Sequence, residues 1–552
     1  MLRPCLRRTP RFARPLLRTF RRTPRFAAPL LRTFSAAANE DLPDRARCVV
    51  VGGGIIGNSI AYHLAAHSGW TKGDVLLLER DKLTSGTTWH AAGLVCTFGS
   101  TSGTSTELRK YTKDLYARLE EETGQATGFQ ANGFIELATN PDRLEEYRRV
   151  AAFNRLCGVD VHEIGPAEVE ELFPLCRVDD VRAGFYVPTD GRVNPVDVTM
   201  ALAKGARMRG VRIAEGTSVA GVTATGTGAS RRVTGVTTDC GRTIKADVVV
   251  NAAGMWARQF GERAGVSIPL QAAEHYYLVT GAIDGVDPTW PVVEDPSSHC
   301  YVRREGDGLM VGLFEPEAAA WNVDSIPGDF SFGEIPPDWE RMMPFLDKAM
   351  HRVPATLEAG VSTFFCGPES FTPDLGPCLG EAPELRNYFV AAGLNSIGIL
   401  SGGGVGRLMA HWIAEGQPDM DVQGVAVSRL HPYQCNPEYR GERVVESLGM
   451  VYKCHYPHYA KSTARNVKLS PLHARQEARG AYFRDVSGWE GADWFAGVGE
   501  DPAPLAEKLS WGRHDWWHLW EREHRACREG VALIDMSFMS KPVMILQRTF
   551  AD

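Results

Sequence analysis

The chain has 552 residues, 44% of them hydrophobic and 23% charged, with a formal net charge of −7. That balance belongs to a globular chain with a large core. It excludes intrinsic disorder and collagen-like repetition, and no run approaches the roughly 18 apolar residues of a membrane span. Length predicts roughly three to four domains, and 56 glycines point to many tight turns or close backbone approaches.

The first 39 residues carry ten arginines and no Asp or Glu, and include a duplicated block, RRTPRFARPLLRTF at 7–20 and RRTPRFAAPLLRTF at 21–34. An arginine-rich, acid-free start containing Ser and Thr is the profile of a mitochondrial transit peptide, so 1–39 is set apart from the fold. A disordered basic arm is the alternative. Without it the chain holds 50 basic against 67 acidic residues, a charge of −17. That charge argues against nucleic acid as the main partner. The twelve cysteines are scattered, with no C-x-x-C pair and no Cys/His cluster at zinc spacing. They predict neither a disulfide framework nor a metal site.

The folded chain opens with RARCVVV at 45–51, a short strand apolar on both faces, then Gly52-Gly53-Gly54-Ile55-Ile56-Gly57 and a helical run, NSIAYHLAAH. This is G-x-G-x-x-G between strand and helix, the context a dinucleotide site requires. Gly52 permits the tight turn, Gly54 lets a pyrophosphate approach the backbone, and Gly57 lets helix and strand pack closely. The helix N-terminus offers its free N–H groups to phosphate. A second strand, DVLLLER, ends at Glu79, 22 residues after Gly57, where a carboxylate can accept both hydroxyls of a ribose. These elements do not separate FAD from NAD. Two later segments favour FAD. ADVVVNAAG (246–254) is a buried strand returning to the same site. NYFVAAGLNSIGILSGGGVG (387–406) gives a strand, a glycine-rich turn and a helix start suited to a large cofactor gripped from two ends. The expected cofactor contacts are Gly52, Gly54, Gly57, Glu79, Arg80, Val219, Gly254, Asn395 and Gly398.

After Glu79 comes RDKLTSGTTWHAAGLV, with Trp89-His90. Here the chain resembles the sarcosine and dimethylglycine dehydrogenases, mitochondrial flavoproteins of the glycine-oxidase-like class. The resemblance implies that His90 carries FAD through a covalent bond to the flavin 8α-methyl carbon. It runs from about residue 45 onward, through YVPTDGRVNP (186–195), HCYVRREGDGLMVGLFE (299–315) and CGPESFTPDLGPCLGEAPEL (366–385). The CGPESFTPD stretch is closer to the sarcosine dehydrogenases. RNVKLSPLH (465–473) and GWEGADWF (488–495) resemble a connecting region, and EHRACREGVALIDMSFMSK (523–541) the opening of an aminomethyltransferase-like folate domain. The stop at Asp552 reads as a truncated chain or an incomplete gene model, and weighs against tetrahydrofolate as a cofactor.

A small N-methyl amino acid offers a carboxylate, which suits a bidentate Arg, and an amine that must be neutral to assist hydride loss. Tyr301 and Arg303 lie two apart on a predicted strand and share a face, as do His275 and Tyr277 on another. These four are the candidate catalytic residues. Glu369 and Asp374 fall in a predicted loop and read as structural. Trp511, Trp516, Trp517 and Trp520 read as core or interface of the last domain, and TATGTGASRR (223–232) as a turn between strands.

The fold class expected is α/β. A discontinuous Rossmann-like FAD domain occupies roughly 45–130, 180–265 and 365–430, with a sheet-rich substrate part mainly at 266–360. A connecting region (431–495) and the start of the folate domain (496–552) follow. The resemblance implies oxidative demethylation of sarcosine, or else dimethylglycine, in the mitochondrial matrix. Electrons would pass to an electron-transfer flavoprotein, and the methyl carbon would leave as formaldehyde or a folate adduct. Two rivals share the architecture: a non-catalytic regulator like the pyruvate dehydrogenase phosphatase regulatory subunit, and a peroxide-forming oxidase. Trp89-His90 argues against the first, and the C-terminal extension against the second.

Overall fold

The first described strand lies at the middle of a parallel sheet. In the computed structural model, which describes residues 42–539, strand Arg45–Val51 lies between Val75–Leu78 on one side and Thr243–Asn251 on the other, parallel to both. Arg212–Ala214 extends the sheet beyond the second strand, and Tyr388–Ala392 beyond the third; Cys378–Glu381 adds an antiparallel edge. A chain that leaves a central strand to one side and later returns to the other creates a crevice at the carboxyl ends of those strands. The transit-peptide segment and residues 540–552 lie outside the described residues.

Four helices cover one face of this sheet: Ile55–Ala66, Gly103–Thr123, Pro195–Met208 and Gly398–Glu415. Their ends follow local chemistry. Ser102 caps the second through the Ser105 N–H, and Gly124 closes it at φ +63°. Asn194 caps the third ahead of Pro195. The first is buried nearly all round because Gly398–Glu415 lies against it. A β-carbon on Gly404 would sit 2.3 Å from the Leu108 carbonyl oxygen. The glycine-rich run inside this helix is therefore required for helix packing; of its glycines only Gly398, at the helix start, reaches the crevice. The turn ahead of it, residues 393–396, lines the crevice together with Gly398, so the entry of this helix stands at the expected site while the later glycines serve packing. The other face carries the hairpin Val219–Thr225/Arg232–Thr238 and helix Ala257–Arg263.

A second sheet of nine strands lies beyond the crevice, and all but one of its pairings are antiparallel. Its centre is Gln271–Thr280, Gly308–Leu313, Cys300–Glu305 and Val292–Asp295, but Phe134–Ala138, His162–Ile164, Ala183–Val187 and Val361–Phe371 also join. The sheet is thus drawn from a wider span than 266–360. Glu369, expected in a loop, lies within Val361–Phe371. After residue 431, helix Pro437–Gly449 packs on the second sheet. The hairpin Ala481–Val486/Trp489–Phe495 buries Trp494 against Trp516. No described helix is long and apolar enough to cross a membrane.

Candidate active site

Two cavities meet where the sheets face each other. The first, of about 640 Å³, runs along the carboxyl ends of the parallel strands. Gly52, Gly54, Glu79, Arg80, Val219, Gly254, Asn395 and Gly398 all line it, so eight of the expected cofactor contacts come together. Gly57 does not line it; its hydrogen lets the helix approach, since a β-carbon there would sit 2.0 Å from the Gly52 carbonyl oxygen. Gly52 holds φ +115°, a conformation that favours glycine. Glu79 turns back onto the loop, its Oε2 accepting the Gly53 N–H at 2.7 Å and its Oε1 the Asp81 N–H at 2.9 Å. Burial pushes its carboxyl up. Arg80 lies over the Trp256 ring, 4.3 Å from the centroid. Asn395 pins the turn before the last helix, accepting the Thr372 N–H at 2.8 Å and donating to the Gly393 carbonyl.

The second cavity, of about 380 Å³, lies under the antiparallel sheet and is lined by His90, His275, Tyr277 and Tyr301. The register explains the arrangement. Tyr277 and Tyr301 both pair with Gly312 from opposite sides, and Tyr277 pairs with Phe365, on which its ring stacks at 4.8 Å. His275 pairs with Gly367, and His90 Cε1 lies 2.9 Å from where a Gly367 β-carbon would be. His90 ends the short turn Thr88–His90, its ring between Trp89 and Phe365. Burial, reinforced by His275, pushes its pKa down to about 3, so the imidazole is neutral. Burial pushes the Tyr277 phenol up to about 12 and raises that of Tyr301.

Arg303 departs from expectation. Its Nε donates to the Ala92 carbonyl at 2.8 Å, and its Nη1 donates to the Arg304 carbonyl and pairs with Glu305. It does not line the cavity. Its face is shared with Tyr301, but the guanidinium is spent on the Ala92 backbone. Arg109 and Arg143 line the wall instead. Arg143 is paired with Glu146 at 2.6 Å. Arg109 donates to the Phe98 carbonyl and keeps a buried Nε–H without an acceptor among the described residues. Beside them Glu136 and Glu294 are adjacent on parallel strands, and burial together with the Glu136 charge pushes the Glu294 carboxyl up. A charged residue inside the apolar run FIELA was the available signal for Glu136.

Four residues line both cavities: Ala91, Glu369, Ser396 and Ile399. Glu369 is the ionisable one. Asp374, by contrast, is structural as expected, held by two bonds of 2.8 Å from Arg429.

Residues 47–412 match the model of the family described as FAD dependent oxidoreductase. The chain belongs to that family. The glycine loop, the Glu79 carboxylate and the length of the first cavity fit an extended dinucleotide such as FAD. Residues 415–470 match the FAD dependent oxidoreductase central domain, and 472–544 the GCVT N-terminal domain. The chain is 41% identical over 507 residues to the 4-methylaminobutanoate oxidase (formaldehyde-forming) of Paenarthrobacter nicotinovorans, covering 92% of this chain and 60% of the relative. It is 38% identical to the mitochondrial sarcosine dehydrogenase of Homo sapiens, covering 91% of this chain and 56% of the relative. The chain therefore spans under two thirds of these curated relatives. The crystal structure of glycine oxidase from Geobacillus kaustophilus superposes with a TM-score of 0.58 at 27% identity, over 70% of this chain and all of that one.

Proposed function

We propose that the chain oxidises the N-methyl group of a small amino acid with FAD, sarcosine being the first candidate and dimethylglycine the second. 4-Methylaminobutanoate joins them through the relative named for it. The observation that carries the reading is that the first cavity shares part of its wall with a smaller one lined by His90, His275, Tyr277 and Tyr301. We assign His90 as the covalent anchor of the flavin, with residues 1–39 directing the chain to the mitochondrial matrix. An electron-transfer flavoprotein is the proposed acceptor. The regulator reading is the rival, and the Trp89-His90 pair, with His90 in the cavity wall, favours the enzyme.

FAD, when bound, supplies the two-electron acceptor for a hydride from the methyl carbon. The chain's residues do the rest. The substrate carboxylate falls to Arg109, the lining cation with an N–H left to donate and no ion pair among the described residues. His275, whose Nδ1 is buried without a partner among the described residues, is placed to take the ammonium proton that must leave before hydride loss. Tyr277 stays a phenol at neutral pH and can only orient the substrate by hydrogen bonding. The imine product, on meeting water, would give formaldehyde and the demethylated amino acid.

The test is an anaerobic titration of the flavin-loaded protein with each N-methyl acid. Bleaching of the flavin band by at least one is the expected result, and the most effective acid identifies the substrate. A fully loaded flavin that none of them bleaches overturns the reading.

A further inference from the structure

Glu369 has a carboxylate that no other described residue uses. It is 7% exposed, its Oε2 is buried without a hydrogen-bond partner, and no hydrogen bond or ion pair among the described residues ends on it. Such a group is costly to bury unless something completes it. Its position says what. Glu369 is the ionisable member of the four residues lining both cavities, so it stands on the border between the cofactor crevice and the space under the antiparallel sheet. Strand register fixes it there, paired with Ala273 two residues before His275. Tyr301 lies close enough to feel its charge.

From this geometry we infer that Glu369 binds the N–H of the substrate amine and selects secondary over tertiary N-methyl amines. The inference rests on the N-methyl amine reading above. The carbon that loses hydride is bonded to the amine nitrogen, so that nitrogen must lie at the border of the two cavities. A carboxylate there can only accept hydrogen bonds. A secondary ammonium brings two N–H groups and a tertiary one brings one. After the proton leaves, the neutral secondary amine still has one N–H to give Glu369, and the tertiary amine has none. The tertiary amine then leaves the carboxylate unpaired at the reactive stage, which is how a polar site rejects an analogue lacking the matching group.

The experiment compares methylamino and dimethylamino forms of one acid in the anaerobic reduction of flavin-loaded wild type and Glu369→Gln. In wild type the secondary amine should be favoured in reduction rate over dissociation constant. In Glu369→Gln that preference should shrink by roughly 10- to 100-fold, the scale of a lost charged hydrogen bond. An unchanged preference in a loaded variant, or a wild type that treats both amines alike, overturns the inference and leaves the functional reading standing. A wild type reduced by no N-methyl acid overturns both, and that result precedes any variant. Should Glu369→Gln fail to fold, calorimetry on wild type gives a second reading. Methylaminoacetate should bind at least about 10-fold tighter than methoxyacetate, whose ether oxygen faces the carboxylate lone pairs; equal affinities overturn the inference.

Discussion

His90 is the residue on which the proposed flavin chemistry turns. Its burial keeps the imidazole neutral, and a neutral ring has the nitrogen lone pair that bonding to a methyl carbon requires. Wild-type protein precipitated with acid should keep its yellow colour, and its denatured band should fluoresce. His90→Ala should load flavin that acid releases. Flavin released equally from both would sink the tether. The place of His90 in the cavity wall was legible because the signal is local: Trp89-His90 follows Glu79 closely, and Gly52, Gly57 and Glu79 are likewise near one another along the chain. Arg303 was misread for the opposite reason. Its face on the strand was right, but what decides its role is the Ala92 carbonyl, brought in from far upstream. Glu369 was passed over because no spacing shows that a side chain on strand Val361–Phe371 will face a cavity with no hydrogen-bond partner among the described residues.

At the scale of the element, helix Ile55–Ala66 carries a titrating group at its interface with helix Gly103–Thr123. His63 is 8% exposed, its Nδ1 donating to the Ser59 carbonyl at 2.7 Å and its Nε2 accepting from the Tyr111 hydroxyl at 3.0 Å in the neutral tautomer. Burial, chiefly, pushes its pKa down to about 4. Between pH 6.5 and 4 the unfolded chain therefore binds a proton that the folded chain refuses. The stability from neutral His63 is fully present above about 6.5 and is lost as pH falls toward 4, by up to ~3 kcal/mol. His63→Gln should flatten this part of the acid limb in denaturant unfolding; an unchanged slope would show that His63 is not its source. The same interface shows where element prediction stopped. The strands and helix starts around residues 45–79 and 387–398 were readable from apolar runs and glycine spacing. The use of Gly404 against Leu108 was not, because helix packing joins segments far apart in sequence.

Across the whole molecule, the region after residue 431 is stitched to the oxidoreductase part by buried polar contacts, and it also forms cavity wall. Tyr452, His455 and Trp511 line the second cavity. Arg440, 3% exposed, donates to Gln271 and to the Val323 carbonyl, and Ser447 donates to the Thr372 carbonyl. Arg143, on helix Pro141–Leu156, pairs with Glu146 and donates to the Tyr452 carbonyl, while Glu146 accepts from the His455 N–H at 2.8 Å. Motifs order these regions along the chain but do not reveal that they share one polar network. Replacing Arg143 by Ala strands the Glu146 carboxylate at 3% exposure with His455 as its remaining partner. Loss of one member of a buried pair costs ~3–5 kcal/mol, whereas removing both charges together costs far less. Arg143→Ala should therefore lower unfolding stability by about 3 kcal/mol, and Arg143→Met with Glu146→Leu should recover more than half of that loss. If the single variant unfolds within ~0.5 kcal/mol of wild type, the size of a neutral surface change, the pair does not hold the C-terminal region to the cavity. If the double variant is as weak as the single one, the contact to Tyr452 matters more than the unpaired charge.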